Sequence, residues 1–278
     1  AEADAGDGID PGDLAAGAVV TERRGRAAVA EPATLGVRWL ARHLEPEAPV
    51  RRVAQHGVGQ VAPHVAGRPA EQVGMGGDWF EGIALDDHRY AVVIGDIAGH
   101  GINAVADMVE LRAIIGALLR SDAPLEAVYP QVATLLHQGG RGLTATSCTA
   151  VFDAATDSVR YVSAGHLPPV LVGPDGTVEL LEGGRLPLLG VPSSAVAPGT
   201  AAFPPGSMLA LYTDGIVERR RESIDVSLDR LRHAMEATLN DNGLSPDVEV
   251  VADELLRRCL GDRPADDDVA LVVVARRS

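Results

Sequence analysis

The chain has 278 residues, 46% of them hydrophobic, enough to bury a substantial core as one large domain or as one domain with a shorter extension. Its formal net charge of −15 speaks against general affinity for nucleic acid or anionic membrane, both of which need a positive surface, and favours a basic protein surface or a divalent cation as partner. No run approaches the roughly 18 apolar residues of a membrane span, and the N-terminus lacks the basic-then-apolar order of a signal peptide, so neither insertion nor export is predicted and a cytoplasmic location is expected.

Residues 1–32 are rich in Ala, Gly and Asp without a sustained period and read as a flexible linker or tail. Residues 33–44, "ATLGVRWLARHL", place Leu35, Trp39 and Leu44 near one helical face, and Pro46 and Pro49 would end such a helix. The segment 33–50 is therefore read as a helix ahead of the main domain, either regulatory or a plain linker.

From residue 51 onward short β-like runs mix with longer helical ones. "YAVVIGD", "TSCTAVFD", "SVRYVSAG", "PVLVG", "TVELLEG", "SMLALYTD" and "VALVVVARR" have strand length and turn signals at their ends. Helices are predicted where Ile102, Val105, Met108, Leu111, Ile115 and Leu118 recur at three- and four-residue spacing, and in "SLDRLRHAMEATL" and "DVEVVADELLRRCL". The turns "DAATD" and "GPDG" join neighbouring strands as hairpins. Helices do not alternate regularly with strands, so an α+β class with antiparallel sheets is expected rather than a doubly wound one.

Cys148 and Cys259 stand far apart, with no second cysteine at metal-ligand or redox spacing, and read as small buried apolar residues. The glycine-rich turn in "VVIGDIAGHG" does not have dinucleotide-loop spacing, and a P-loop needs a lysine, of which the chain has none. That leaves Asp96 at the end of a buried strand, either as the cap of the helix starting near Ile102 or as a paired or metal-bound carboxylate. The design recurs with Asp78 in "GMGGDWF", Asp214 in "LALYTDG", and Asp266, Asp267 and Asp268 in "ADDDVALVVV". Any one of these fits a turn. Converging, they would form an oxygen-rich site suited to Mg²⁺ or Mn²⁺ and to in-line hydrolysis of a phosphate ester.

Six motifs occur in order over residues 76–276: "GGDWF", "VIGDIAGHG", "SAGHLPP", "LPLLGV", "LYTDGIVE" and "DDVALVVVAR". Through them the chain from about residue 51 to 278 resembles the PPM-type metal-dependent serine/threonine phosphatases, in particular their SpoIIE/RsbU-like bacterial branch. The resemblance implies a four-layer αββα sandwich with two Mn²⁺ or Mg²⁺ ions at one end between the sheets. It implies that Asp96 bridges the ions, that the carbonyl of Ile97 ligates one, that Asp78 serves the second ion, and that Asp214 and Asp267 serve the first. Asp267 is preferred to its neighbours because it lies two residues before Val269, where the last strand begins. His100 is either a general acid for the leaving group or a residue packing within the turn, and His166 is read as shaping the cleft wall.

The implied function is a phosphoserine/phosphothreonine protein phosphatase using a metal-bound hydroxide. Its implied partner is a phosphorylated STAS-domain anti-anti-sigma factor, in a pathway that releases a sigma factor; a homodimer is compatible with this reading. The alternative from another class is a catalytically silent phosphatase-like binding module. A metal-dependent nuclease is disfavoured by the acidic charge and the absence of a basic track.

Overall fold

The computed structural model describes residues 37–44, 51–53, 77–99, 101–138, 143–194, 197–219, 221–243, 247–261 and 267–276. The tail predicted for residues 1–32 lies outside the described residues, as do Gly76, His100 and Asp266.

In chain order the elements are β1 (Val37–Leu44), β2 (Arg51–Val53), β3 (Trp79–Ala84), β4 (Arg89–Ile97), α1 (Ile102–Arg120), α2 (Leu125–Gln138), β5 (Ala145–Asp153), β6 (Ser158–Ala164), β7 (Val170–Val172), β8 (Val178–Leu180), β9 (Arg185–Leu186), β10 (Gly199–Ala202), β11 (Met208–Tyr212), α3 (Ile224–Asn242), α4 (Val248–Leu260) and β12 (Val269–Arg276). A 3-10 turn, Asp214–Ile216, follows β11 directly. One sheet has the order β2-β1-β12-β11-β7-β8 and the other β10-β6-β5-β4-β3, with β9 beside β6. Pairing is antiparallel except between β6 and β9.

The layering follows from the period-two alternation of strand side chains. In β12, Val269, Leu271 and Val273 face α3 and α4, where they meet Leu231, Met235, Val251 and Leu255. The alternate residues Ala270, Val272 and Val274 face the other sheet and meet Val92, Ile94, Cys148 and Phe152. β4 divides the same way, with Tyr90, Val92 and Ile94 toward the inter-sheet core and Ala91, Val93 and Ile97 toward α1 and α2. A strand apolar on both faces must be covered on both, which yields four layers in the order helix, sheet, sheet, helix. The expected α+β sandwich is therefore the observed one. Cys148 and Cys259 are free, buried core residues, as read from their spacing.

The predicted helix over residues 33–44 is corrected: Val37–Leu44 is a strand, and it pairs antiparallel with β12 along its whole length, from Val37 opposite Arg276 to Leu44 opposite Val269. A helical stripe of three apolar residues is weak local information, whereas β12 offers eight consecutive backbone positions to an incoming strand. Long-range ladder bonds override the local preference. The sheet thus begins at least as early as Val37, ahead of the boundary placed at residue 51.

Helix α2 was not anticipated. Leu125, Val128, Tyr129, Val132, Ala133 and Leu136 form its buried stripe, despite Pro130 inside the helix. The Tyr129 hydroxyl anchors it to β5 through Ser147 Oγ at 2.9 Å and Thr149 Oγ1 at 2.8 Å. Helix α1 is held over β3 by Glu81, which receives Arg120 at 2.7 Å and Arg112 at 3.4 Å.

Candidate metal centre

Antiparallel pairing brings four aspartate-bearing segments to one end of the sandwich. β3 begins where β4 ends, because Trp79 lies opposite Gly95. Beyond that pair the Ile97 N–H donates to the Gly77 carbonyl at 3.2 Å, setting Asp78 beside Asp96. In the other sheet β11 ends where β12 begins, because Tyr212 lies opposite Leu271. Asp214 opens the 3-10 turn after β11, and Asp267 and Asp268 immediately precede β12.

Thr213 joins the two halves. Its hydroxyl donates to Asp78 Oδ2 at 2.7 Å and accepts from the Ala270 N–H at 2.8 Å, while its own N–H donates to the Ala270 carbonyl at 3.0 Å. In the sequence Thr213 is simply the residue before Asp214 at the end of "LALYTDG". Its role depends on a partner 135 positions away, which no local pattern announces.

Burial and neighbouring carboxylates raise the pKa values of Asp78, Asp96 and Asp214. Asp78 is buried, and its carboxyl is held well above the ordinary range by desolvation and by Asp96, Asp268 and Asp214, against the lowering effect of the Thr213 hydroxyl. Asp96 is raised by desolvation and by Asp267, opposed by hydrogen bonding with Asp78 and by the Ile97 N–H. Asp214 is raised to about 6 by desolvation, Asp96, Glu218 and Asp267, with the Gly215 N–H lowering it. What stabilises the charges here is hydrogen bonding, and repulsion remains. Asp267 is exposed and acts on both Asp96 and Asp214; Asp268 is buried and acts on Asp78.

Two glycines permit the close approach. A Cβ on Gly77 would lie 2.4 Å from the Ile97 carbonyl oxygen and 2.9 Å from Asp96 Oδ1. A Cβ on Gly215 would lie 2.0 Å from the Asp268 carbonyl oxygen. The donor set is all hard oxygen with excess negative charge, which fits Mg²⁺ or Mn²⁺. Among the described residues no three His, Cys, Asp or Glu side chains are grouped closely enough to hold a metal ion. The centre is an acidic cleft.

His166 forms the cleft wall, as read from the sequence, and it also ties the sheets together. Its Nε2–H donates to the Tyr212 carbonyl at 3.1 Å, so its Nδ1 accepts from the Thr146 hydroxyl at 2.8 Å. Burial pushes its pKa down to about 4. Relative to an unfolded histidine near 6.5, the depressed folded value means that the unfolded chain takes up the proton first as pH falls. His166 stability is therefore full above about pH 6.5 and is lost toward pH 4. Between pH 7 and pH 5 in EDTA, wild type is expected to lose about 2 kcal/mol more stability than His166→Gln, measured by urea unfolding. Asp214, raised to about 6, works in the opposite direction over the same window and is common to both proteins. An equal pH dependence in the two would rule out the neutral-histidine tether.

Residues 86–277 match the model of the family described as Stage II sporulation protein E (SpoIIE), which is more than half of the chain. The chain belongs to the SpoIIE family. Among its relatives, the phosphoserine phosphatase RsbP of Bacillus subtilis is 26% identical over 149 residues, 52% of this chain. Protein IcfG of Synechocystis is 22% identical over 236 residues, 75% of this chain. The chain spans 37% of the length of each of these curated relatives. The structure of the RsbU and RsbW domains of Rv1364c from Mycobacterium tuberculosis superposes with a TM-score of 0.71 at 24% identity, covering 90% of this chain and 63% of that one. The PP2C phosphatase domain of Bacillus subtilis SpoIIE, with a fragment of its regulatory domain, superposes with a TM-score of 0.64 at 19% identity, covering 87% and 62%. This SpoIIE-family chain has the fold of the PP2C phosphatase domains, in agreement with the fold implied by its motifs.

Proposed function

We propose that the chain is a divalent-metal-dependent phosphatase acting on phosphoserine or phosphothreonine in a protein. Asp78, Asp96, Asp214, Asp267 and the Ile97 carbonyl are its ligands for two Mn²⁺ or Mg²⁺ ions. The observation that carries this reading is the convergence of the segments bearing Asp78, Asp96, Asp214 and Asp267 at one end of the sandwich, tied by the 2.7 Å Thr213–Asp78 hydrogen bond, where burial and neighbouring carboxylates hold the Asp78, Asp96 and Asp214 pKa values up. A protein tolerates such a cluster when cations neutralise it. When bound, the ions supply the positive charge that polarises a phosphoryl oxygen and acidifies a water.

The chain's own residues do the positioning. Thr213 fixes the rotamer of Asp78 through the bond to Oδ2, and Gly77 leaves the Ile97 carbonyl uncovered. His100, which follows Asp96 by four positions in the sequence, is the candidate proton donor to the leaving group. The kinship to RsbP, and the likeness in fold to a structure containing RsbU and RsbW domains, supports a phosphorylated STAS-domain anti-anti-sigma protein as substrate. The alternative reading is a catalytically silent phosphatase-like binding module.

The test is hydrolysis of p-nitrophenyl phosphate and of a phosphoserine STAS protein, with Mn²⁺ and with EDTA. Turnover of both substrates that stops in EDTA is expected. A folded chain that binds Mn²⁺ yet turns over neither substrate would leave the binding-module reading in place.

A further inference from the structure

The cavity at the acidic cleft, about 440 Å³, extends from Asp96 and Asp214 onto the loop after the 3-10 turn, where Glu218, Arg219, Arg221 and Glu222 line it. Two of these described wall residues are permanent cations, and the fold treats them differently. Arg219 donates through Nη2 to the Cys259 carbonyl at the end of α4, at 2.8 Å, and its Nε stands 3.9 Å from Glu222. It is committed to holding the loop against the helix. Glu222 is itself occupied by Arg230 and by the Ser227 hydroxyl.

Arg221 is exposed, and among the described residues no hydrogen bond or ion pair engages it. Its backbone has φ +69, the left-handed region that a long side chain rarely adopts. A strained position with an uncommitted guanidinium in the wall of a functional cleft is where strain points to use. A phosphate dianion entering a cleft walled by Asp96, Asp214 and Glu218 meets repulsion from the protein, which a fixed cation on the wall would offset.

We propose that Arg221 binds the phosphoryl group of the substrate, its planar fork donating two N–H groups to two non-bridging oxygens. Bidentate pairing of this kind is what distinguishes guanidinium from ammonium at a phosphate. The inference rests on the phosphatase reading and adds to it the protein group that receives the phosphate.

The experiment uses the full chain with Mn²⁺ and the variants Arg221→Gly and Arg221→Lys. Glycine accepts the left-handed backbone, so Arg221→Gly is expected to melt no lower than wild type. Its kcat/KM for p-nitrophenyl phosphate and for a phosphoserine protein should fall roughly tenfold or more, and the Kd of inorganic phosphate by calorimetry should rise by a similar factor. Arg221→Lys should recover part of each. Values for Arg221→Gly within about twofold of wild type would overturn the proposal, as would a loss confined to the phosphoprotein, which would place Arg221 on the partner's surface instead. If wild type hydrolyses neither substrate, the phosphatase reading fails separately. Phosphate calorimetry still decides on Arg221, since an unchanged Kd in Arg221→Gly overturns it.

Discussion

Asp96→Asn is expected to reduce metal-dependent hydrolysis by roughly a hundredfold or more while stabilising the metal-free protein, two effects with one electrostatic origin. In the wild type, the raised Asp96 carboxyl faces Asp267 and shares a hydrogen bond with Asp78. A group whose folded pKa exceeds its unfolded value gives up stability as pH rises through the folded value, so near neutrality the ionised carboxylate works against folding. Asparagine keeps the shape and removes the charge. In EDTA at pH 7 the variant should be more stable than wild type in urea unfolding, and the gain should shrink on acidification as wild-type Asp96 protonates. Mn²⁺ should raise the Tm of wild type by mass action and move the variant much less. An Asn variant with wild-type turnover and an unreduced Mn²⁺ shift would remove Asp96 from the ligand set.

Gly215→Ala carries the second large effect, and it acts through the backbone. Its Cβ would lie 2.0 Å from the Asp268 carbonyl oxygen and 2.9 Å from Val269 Cγ2. No rotamer change relieves contact with a backbone oxygen, so the 3-10 turn bearing Asp214 must move away from the segment bearing Asp267. We expect a loss of about 2–4 kcal/mol in urea unfolding, together with weaker Mn²⁺ binding in a titration followed by thermal shift. Stability within about 0.5 kcal/mol of wild type would contradict the packing of turn against strand. Gly77→Ala, whose Cβ would meet the Ile97 carbonyl and Asp96, provides the matching case at the β3–β4 end of the cleft.

The strands most visible in the sequence are those apolar on both faces. "YAVVIGD" and "VALVVVARR" lie in β4 and β12, which are covered by a helix layer on one side and the opposite sheet on the other. Helices α1, α3 and α4 were legible for a related reason, their apolar stripes at three- and four-residue spacing. The α2 stripe has the same spacing, but Pro130 interrupts the helical signal, and helix continuity there depends on packing against β5. Strand β1 lacked a legible signature altogether. Its residues carry a weak helical stripe, and only the exposed edge of β12 makes them a strand.

For the candidate site, the sequence by itself determined that acidic residues stand at strand ends beside glycines and that the chain has no lysine for a phosphate loop, and its motif order resembles that of the SpoIIE-like branch. The tertiary structure decided which of those residues meet. Two antiparallel sheets end at the same edge, so Asp78 and Asp96 come to face Asp214 and Asp267. Thr213 can span the gap only because β11 pairs with β12. Strand propensity and turn chemistry are local and can be read within a few residues. Electrostatic coupling between carboxylates such as Asp78 and Asp214, more than a hundred positions apart in sequence, depends on distances that exist only in the folded chain.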